Sequence, residues 1–163
     1  MIMDLKHPVR VIHLIEDSAL VISLLTMMTV AVVQIALRNF FDSGMFWADS
    51  FVRILVLWVA LLGAMVATRE NNHIKIDVLS RYLPEHIDRH LSAVVGVVAS
   101  VVCAVVAWYC AQFVLLESED PSMAFAQVPH WVCELILPFA FAVMSLRFLL
   151  GTVNGYLASV ADD

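Results

Sequence analysis

The amino-acid sequence predicts an all-α integral membrane protein: a four-helix bundle with short amphipathic interfacial helices between the second and third crossings. Of its residues, 62% are hydrophobic and 15% are charged, and its mean hydropathy is +0.89. A soluble domain carries about a quarter charged residues. The segment from Leu91 to Leu116 contains no Asp, Glu, Lys or Arg. One crossing takes about 20 residues, so four crossings use most of the chain, and we expect a single membrane domain over residues 1–163.

The four crossings are placed by apolar runs and by the charges that end them. Glu16, Asp17 and Arg38 bound the first run. Tryptophans, which are enriched at membrane interfaces, mark the starts of the second and fourth. We expect spans at residues 18–37, 47–69, 91–116 and 130–150, with a connector at 117–129. The first residues carry charges and lead into an apolar run too long for a signal core, so no cleaved targeting peptide is expected.

Residues 74–89 are too polar to span a membrane and too apolar to remain in water. Ile76, Leu79, Leu83 and Ile87 recur at helical intervals between charged residues. Such a pattern is typical of amphipathic helices that lie in the membrane interface. We therefore expect short interfacial helices in this segment.

The distribution of basic residues predicts the orientation in the membrane. Of the nine Lys and Arg residues, Arg38 and Arg53 lie on one side of the expected topology. The others lie on the opposite side: Lys6, Arg10, Arg69, Lys75, Arg81, Arg89 and Arg147. Because cytoplasmic flanks retain basic residues, both termini are expected in the cytoplasm.

Two helices carry a face of small residues, which lets another helix backbone approach closely. The face on the third crossing includes Gly96, Ser100, Ala104, Ala107 and Ala111, and valines and aromatic residues occupy its opposite side. The face on the second crossing contains Ala60, Gly63, Ala64 and Ala67. We expect both faces to be buried against protein, either against each other or against a different chain.

Asp49 and Arg53 form the most informative pair of charges. They are four residues apart with the acid first, which is the favourable order for a helical ion pair. Arg53 lies about 9 Å along the helix from Trp47. An unpaired arginine at that depth is costly, so pairing or snorkelling is expected. An intersubunit contact and a private salt bridge are both compatible with this spacing.

The sequence predicts neither an enzyme nor a cofactor protein. No soluble domain remains to carry an active site, so no catalytic residue is expected. The six histidines lie outside the charge-free runs, whereas a membrane cytochrome needs imidazoles that face each other within the bundle. The three cysteines form no metal motif. We therefore expect no haem, no metal site and no other cofactor, which disfavours the anchor subunit of an electron-transfer complex.

A self-contained, homo-oligomeric small transporter is the other alternative. Such a protein is expected to place charge or broken helices near the bilayer midplane. In this sequence the charges lie towards the ends of the crossings.

One ordered set of residues resembles a known family. It consists of Arg38-Asn39-Phe40, Trp47 followed by Asp49 and Arg53, Gly63-Ala64, Arg69, His73-Ile74-Lys75-Ile76-Asp77, and the stretch from Pro138 to Arg147. This order resembles the small, DctQ-type membrane subunit of TRAP (tripartite ATP-independent periplasmic) transporters. Asp49-Ser50 and Asn71-Asn72 depart from the family pattern, which commonly has two glutamates and a glycine at these places.

The resemblance implies a bacterial inner-membrane complex. In it, a small scaffold subunit is bound to a large permease subunit that carries an organic acid with sodium, and a periplasmic substrate-binding protein delivers the substrate. It implies membrane lipid but no nucleic acid as a further partner. The residues that it marks as candidates for the subunit interface or for structural roles are Trp47, Asp49, Arg53, Arg69, His73 and Asp77.

Overall fold

The computed structural model describes residues 6–41, 44–70, 85–120, 122–125 and 128–161. Its long helices are α1 (Lys6–Phe41), α2 (Ala48–Glu70), α3 (Glu85–Glu119) and α5 (Ile136–Ala161), and α5 follows the short helix α4 (His130–Glu134). Two short strands, β1 (Met123–Phe125) and β2 (Val128–Pro129), precede α4. The described chain has four segments long and apolar enough to cross a membrane: Val11–Phe41, Ala48–Arg69, Leu91–Glu119 and His130–Tyr156. The predicted all-α membrane helical fold is confirmed.

The helices extend beyond several of the expected spans. The helix α1 begins at Lys6 and continues through Glu16 and Asp17, although the sequence placed the first span at 18–37. Charged residues mark where the hydrocarbon layer ends, and a helix can continue past that level. The expected interfacial segment 74–89 lies outside the described residues as far as residue 84, and α3 begins at Glu85.

Two local features interrupt the last part of the chain. The strands β1 and β2 pair antiparallel, with Met123 opposite Pro129, within the expected connector. The helix then breaks at Leu135, between α4 and α5. Pro138 explains the break, because its nitrogen carries no hydrogen to donate to the carbonyl of Glu134.

One compact unit contains α1, α2 as far as Val66, the end of α3 from Val114, both strands and α4. Its most deeply buried large side chain is that of Met65, one helical turn after Leu61 and Leu62. The indole Nε1 of Trp58 donates a hydrogen bond to the carbonyl oxygen of Cys133 at 3.0 Å. This bond joins the middle of α2 to α4.

The second compact unit contains α2 from Ala67, α3 as far as Phe113 and α5 from Leu137. Ser100 and Ser145 join α3 to α5 by reciprocal hydrogen bonds: Ser100 Oγ donates to the Ser145 carbonyl at 3.0 Å, and Ser145 Oγ donates to the Ser100 carbonyl at 2.9 Å. Such bonds between membrane helices contribute about 0.6 kcal/mol each. On the opposite side of α3, Val94, Val98 and Trp108 are exposed, as lipid-facing residues are.

Candidate subunit-interface site

Most of the described interface candidates lie where α1 ends and α2 begins. This region combines the last two turns of α1, the residues from Gly44 to Trp47, and the first two turns of α2. All of its residues belong to the first compact unit. We call it the α1–α2 turn.

Gln34 fixes the backbone of the α1–α2 turn. Its side chain is only 6% exposed. The amide Nε2 donates to the Met45 carbonyl oxygen at 3.2 Å, and the amide Oε1 accepts from the Met45 N–H at 3.2 Å. One side chain therefore satisfies both backbone groups of Met45, as a neighbouring strand would. A buried polar group that is paired in this way holds the turn in one geometry.

Asp49 pairs with Arg38 of α1. The distance from Arg38 Nη2 to Asp49 Oδ2 is 2.9 Å, and the two side chains are 63% and 52% exposed. The other oxygen, Oδ1, lies 3.5 Å from the amide nitrogen of Gln34. A private salt bridge between Asp49 and Arg53 was one of the two possibilities left open by the sequence, and Asp49 instead forms an ion pair across the turn. At this exposure the pair contributes about 0–1 kcal/mol in an aqueous setting.

Arg53 is exposed, and in the described part of the chain it forms no ion pair with the acid one turn before it. It lines an open groove of about 340 Å³ between α1 and α2. The other groove-lining residues are Ala31, Gln34, Ile35, Arg38, Asp49 and Val52. Three of the lining residues, Ala31, Ile35 and Val52, are apolar. Of the two guanidinium groups that line the groove, that of Arg38 is paired with Asp49, and that of Arg53 lies beside apolar residues in a segment apolar enough to cross a membrane.

Aromatic side chains surround the turn. The ring of Trp47 packs edge-on against Phe51, with ring centroids 6.0 Å apart. Phe40, Phe41 and Phe46 are largely or fully exposed. Trp47 is itself partly exposed, as expected of a residue at a membrane interface.

Arg69 is the one further interface candidate among the described residues, and it lies apart from this site. Arg69 lies in the last turn of α2, at the opposite end of that helix, and is partly buried. His73 and Asp77 lie outside the described residues. Three candidates, Trp47, Asp49 and Arg53, therefore share the α1–α2 turn.

Two residues of the small face of α3, Gly96 and Ser100, pack on α5. Ser100 is buried, Gly96, Ala107 and Ala111 are partly buried, and Ala104 is exposed. A methyl group added at Gly96 would overlap Thr152 Oγ1, which is held in place by a 2.8 Å hydrogen bond to the Phe148 carbonyl. A glycine is therefore required at this close approach.

The small face of α2 is less enclosed. Ala60 and Ala67 are exposed, whereas Gly63 and Ala64 are partly buried. A Cβ added at Gly63 would lie 3.9 Å from Leu20 of α1, an ordinary van der Waals distance. Burial of this face against another chain stays a prediction.

Sequence reasoning missed two residues of the α1–α2 turn, Gln34 and Arg38. It took Arg38 as the end of an apolar run, and Gln34 was not among its candidate site residues. A signal was present, because polar residues four apart lie on the same face of a helix. Their partners, Met45 and Asp49, can be identified only when α2 is known to run antiparallel to α1.

Comparison with known proteins assigns the family. Residues 27–157 match the family model described as "Tripartite ATP-independent periplasmic transporters, DctQ component". The chain belongs to the DctQ family. Its multi-pass membrane architecture agrees with a DctQ component, the small permease subunit of a TRAP transporter.

Individual relatives carry corresponding names. The DctQ-family chain is 32% identical over 88 residues to a putative TRAP transporter small permease protein of Haemophilus influenzae, covering 53% of this chain and 55% of the relative. It is 30% identical over 108 residues to the C4-dicarboxylate TRAP transporter small permease protein DctQ of Rhodobacter capsulatus. The match covers 63% of this chain and 46% of that relative. It is 25% identical over 104 residues to the isethionate TRAP transporter permease protein DctMQ of Oleidesulfovibrio alaskensis. The match covers 63% of this chain and 16% of that relative. The chain thus spans about half of the small permease relatives and a smaller part of the isethionate permease.

Proposed function

We propose that this chain is the small accessory subunit of a sodium-coupled TRAP-type uptake transporter for an organic acid. In this proposal it pairs with a large permease subunit that carries the substrate, and a periplasmic substrate-binding protein delivers the substrate to the complex. The observation that carries the proposal is the family match over residues 27–157, which extends from α1 into α5.

The placement of charge supports a scaffold role. Asp49 and Arg53 lie in the first two turns of α2, and Arg69 lies in its last turn. In the sequence, Arg147 comes near the end of the expected fourth span, 130–150. A subunit that carried an organic anion by itself is expected to hold charge or broken helices at the midplane. The described residues favour packing and interfacial anchoring.

The substrate class comes from the relatives. Two of them are named for isethionate and for C4-dicarboxylate, which are different organic acids. Both relatives match this chain, although their named substrates differ. We infer that the large subunit and the binding protein determine which acid is transported.

The proposed orientation places both termini in the cytoplasm and the α1–α2 turn at the periplasmic surface. The distribution of Lys and Arg residues supports it. A reporter enzyme that is active only in the periplasm should stay silent when fused after Asp163. The same reporter inserted between Gly44 and Met45 should be active, and the reverse pattern would contradict the orientation.

Uptake by purified components tests the transport role. Proteoliposomes should accumulate the organic acid only when they contain both this chain and the large subunit, with loaded binding protein outside and an inward sodium gradient. Omitting either membrane subunit or collapsing the gradient should reduce uptake to background. Accumulation by this chain alone would contradict the proposal and favour a self-contained transporter.

A further inference from the structure

We propose that the groove between α1 and α2 receives an acidic side chain of the large permease subunit, which pairs with Arg53. This inference rests on the proposed function, since it names a contact within that complex. It assigns one residue of this chain to the subunit interface and states the chemistry of the partner group.

The charge of Arg53 is not paired with a carboxylate among the described residues. Arg53 lies inside the apolar segment Ala48–Arg69. Its neighbour Asp49, one turn earlier, is already bound by Arg38 at 2.9 Å and lies within 3.5 Å of Gln34. A charged side chain in a membrane helix is costly and is normally paired or directed to water. In the described part of the chain, no carboxylate forms an ion pair with this guanidinium.

The groove has the size and lining to receive part of a neighbouring helix. Its volume of about 340 Å³ is sufficient for a few side chains of a neighbouring helix. Ala31, Ile35 and Val52 provide an apolar wall for such a helix, and Arg53 provides one polar contact beside it. An arginine can hold a carboxylate with two parallel hydrogen bonds, which fixes the position of the partner as well as its charge.

The charges of the groove favour a protein carboxylate over a lipid phosphate. Arg38 and Asp49, which also line the groove, neutralise each other, so this pair adds no net positive charge that would attract a headgroup. The net positive charge of the groove is therefore that of Arg53, one helical turn further along α2 than Asp49. A carboxylate on a neighbouring helix can enter from the side at this depth, without passing the carboxylate of Asp49. The arrangement therefore favours a protein partner.

The test measures the affinity of the two membrane subunits in lipid nanodiscs. Truncating one partner of a desolvated charge pair leaves the other unpaired, so Arg53→Met should raise the dissociation constant about 30-fold or more. Arg53→Lys, which keeps the charge but loses the paired hydrogen bonds, should have a smaller effect. Arg53→Glu should prevent assembly, and one acid-to-lysine substitution in the large subunit should restore it.

Three further results decide between explanations. The isolated Arg53→Met subunit should unfold at the same temperature as the wild type or higher, because an unpaired charge has been removed; a lower temperature would overturn the inference.

Unchanged affinity combined with loss of bound anionic lipid, measured by native mass spectrometry, would overturn it in favour of a lipid phosphate. A photo-crosslinking amino acid at Ile35 of the otherwise unaltered chain should capture the large subunit, and failure to do so would also overturn it.

The wild-type measurement separates this inference from the proposed function. If the wild-type chain does not bind the large subunit, the proposed function fails. If the wild-type chain and Arg53→Met bind equally well, only the role of Arg53 fails.

Discussion

Replacing Gly96 by leucine should cost the isolated subunit about 3 kcal/mol of unfolding free energy, towards the upper end of overpacking effects. Even a single added methyl group would overlap Thr152 Oγ1 and would lie 3.3 Å from Thr152 Cβ. Rotating Thr152 does not remove the second contact, and it breaks the hydrogen bond to the Phe148 carbonyl. The helices α3 and α5 must therefore separate, which would also strain the reciprocal bonds between Ser100 and Ser145. Thermal unfolding in detergent measures the loss.

Gly155 provides the matched control for Gly96. It lies on α5, and a Cβ built on it would meet nothing within 4 Å. Gly155→Ala should be neutral or stabilising by about 0.5–1 kcal/mol, because alanine is the better helix former. The double variant Gly96→Ala with Thr152→Gly should recover most of the stability lost in Gly96→Ala. Equal effects of alanine at the two glycines would contradict the close approach of α3 to α5.

The second large effect is expected at Gln34. Gln34→Leu keeps a side chain of similar size but removes both hydrogen bonds to Met45. The Met45 carbonyl retains a hydrogen bond from the Ala48 N–H at 3.1 Å, whereas the Met45 N–H loses its partner. One unsatisfied backbone group costs about 1–3 kcal/mol. The measurement is thermal unfolding of the isolated subunit in detergent.

Gln112 allows the same substitution at an exposed site. It lies on α3 with its side chain exposed. Gln112→Leu should leave the unfolding temperature unchanged or raise it, because an exposed glutamine in an apolar helix is replaced by an apolar residue. If Gln34→Leu and Gln112→Leu had equal effects, Gln34 would not support the turn.

The fold was accessible from the sequence because the length of an apolar run determines whether it can cross a membrane. The ends of the helices were harder to predict from the sequence. Glu16 and Asp17 ended the first expected span, yet α1 begins earlier, at Lys6, and its segment apolar enough to cross a membrane begins at Val11. The pair β1 and β2 was missed because strands of three and two residues carry no detectable alternation. The break at Leu135 could have been inferred from Pro138 alone.

The site was accessible only in part. Trp47, Asp49 and Arg53 stand out as an aromatic residue and two charges at the start of an apolar helix. The ion pair of Asp49 with Arg38 depends on the register in which α2 returns along α1, and a favourable spacing within one helix suggested Arg53 instead. Likewise, small-residue periodicity indicates a packing face on α3, but it does not reveal that Thr152 opposes Gly96. Contacts between distant segments require the three-dimensional structure.

The measurement that most directly tests the central claim is the purification of this chain from native membranes in a mild detergent. The chain would carry a tag after Asp163, and mass spectrometry would identify the proteins that accompany it. An accessory subunit should bring down one large, many-helix permease in a fixed ratio. Recovery of this chain alone, in defined oligomers, would contradict the accessory role and would indicate a self-contained membrane protein.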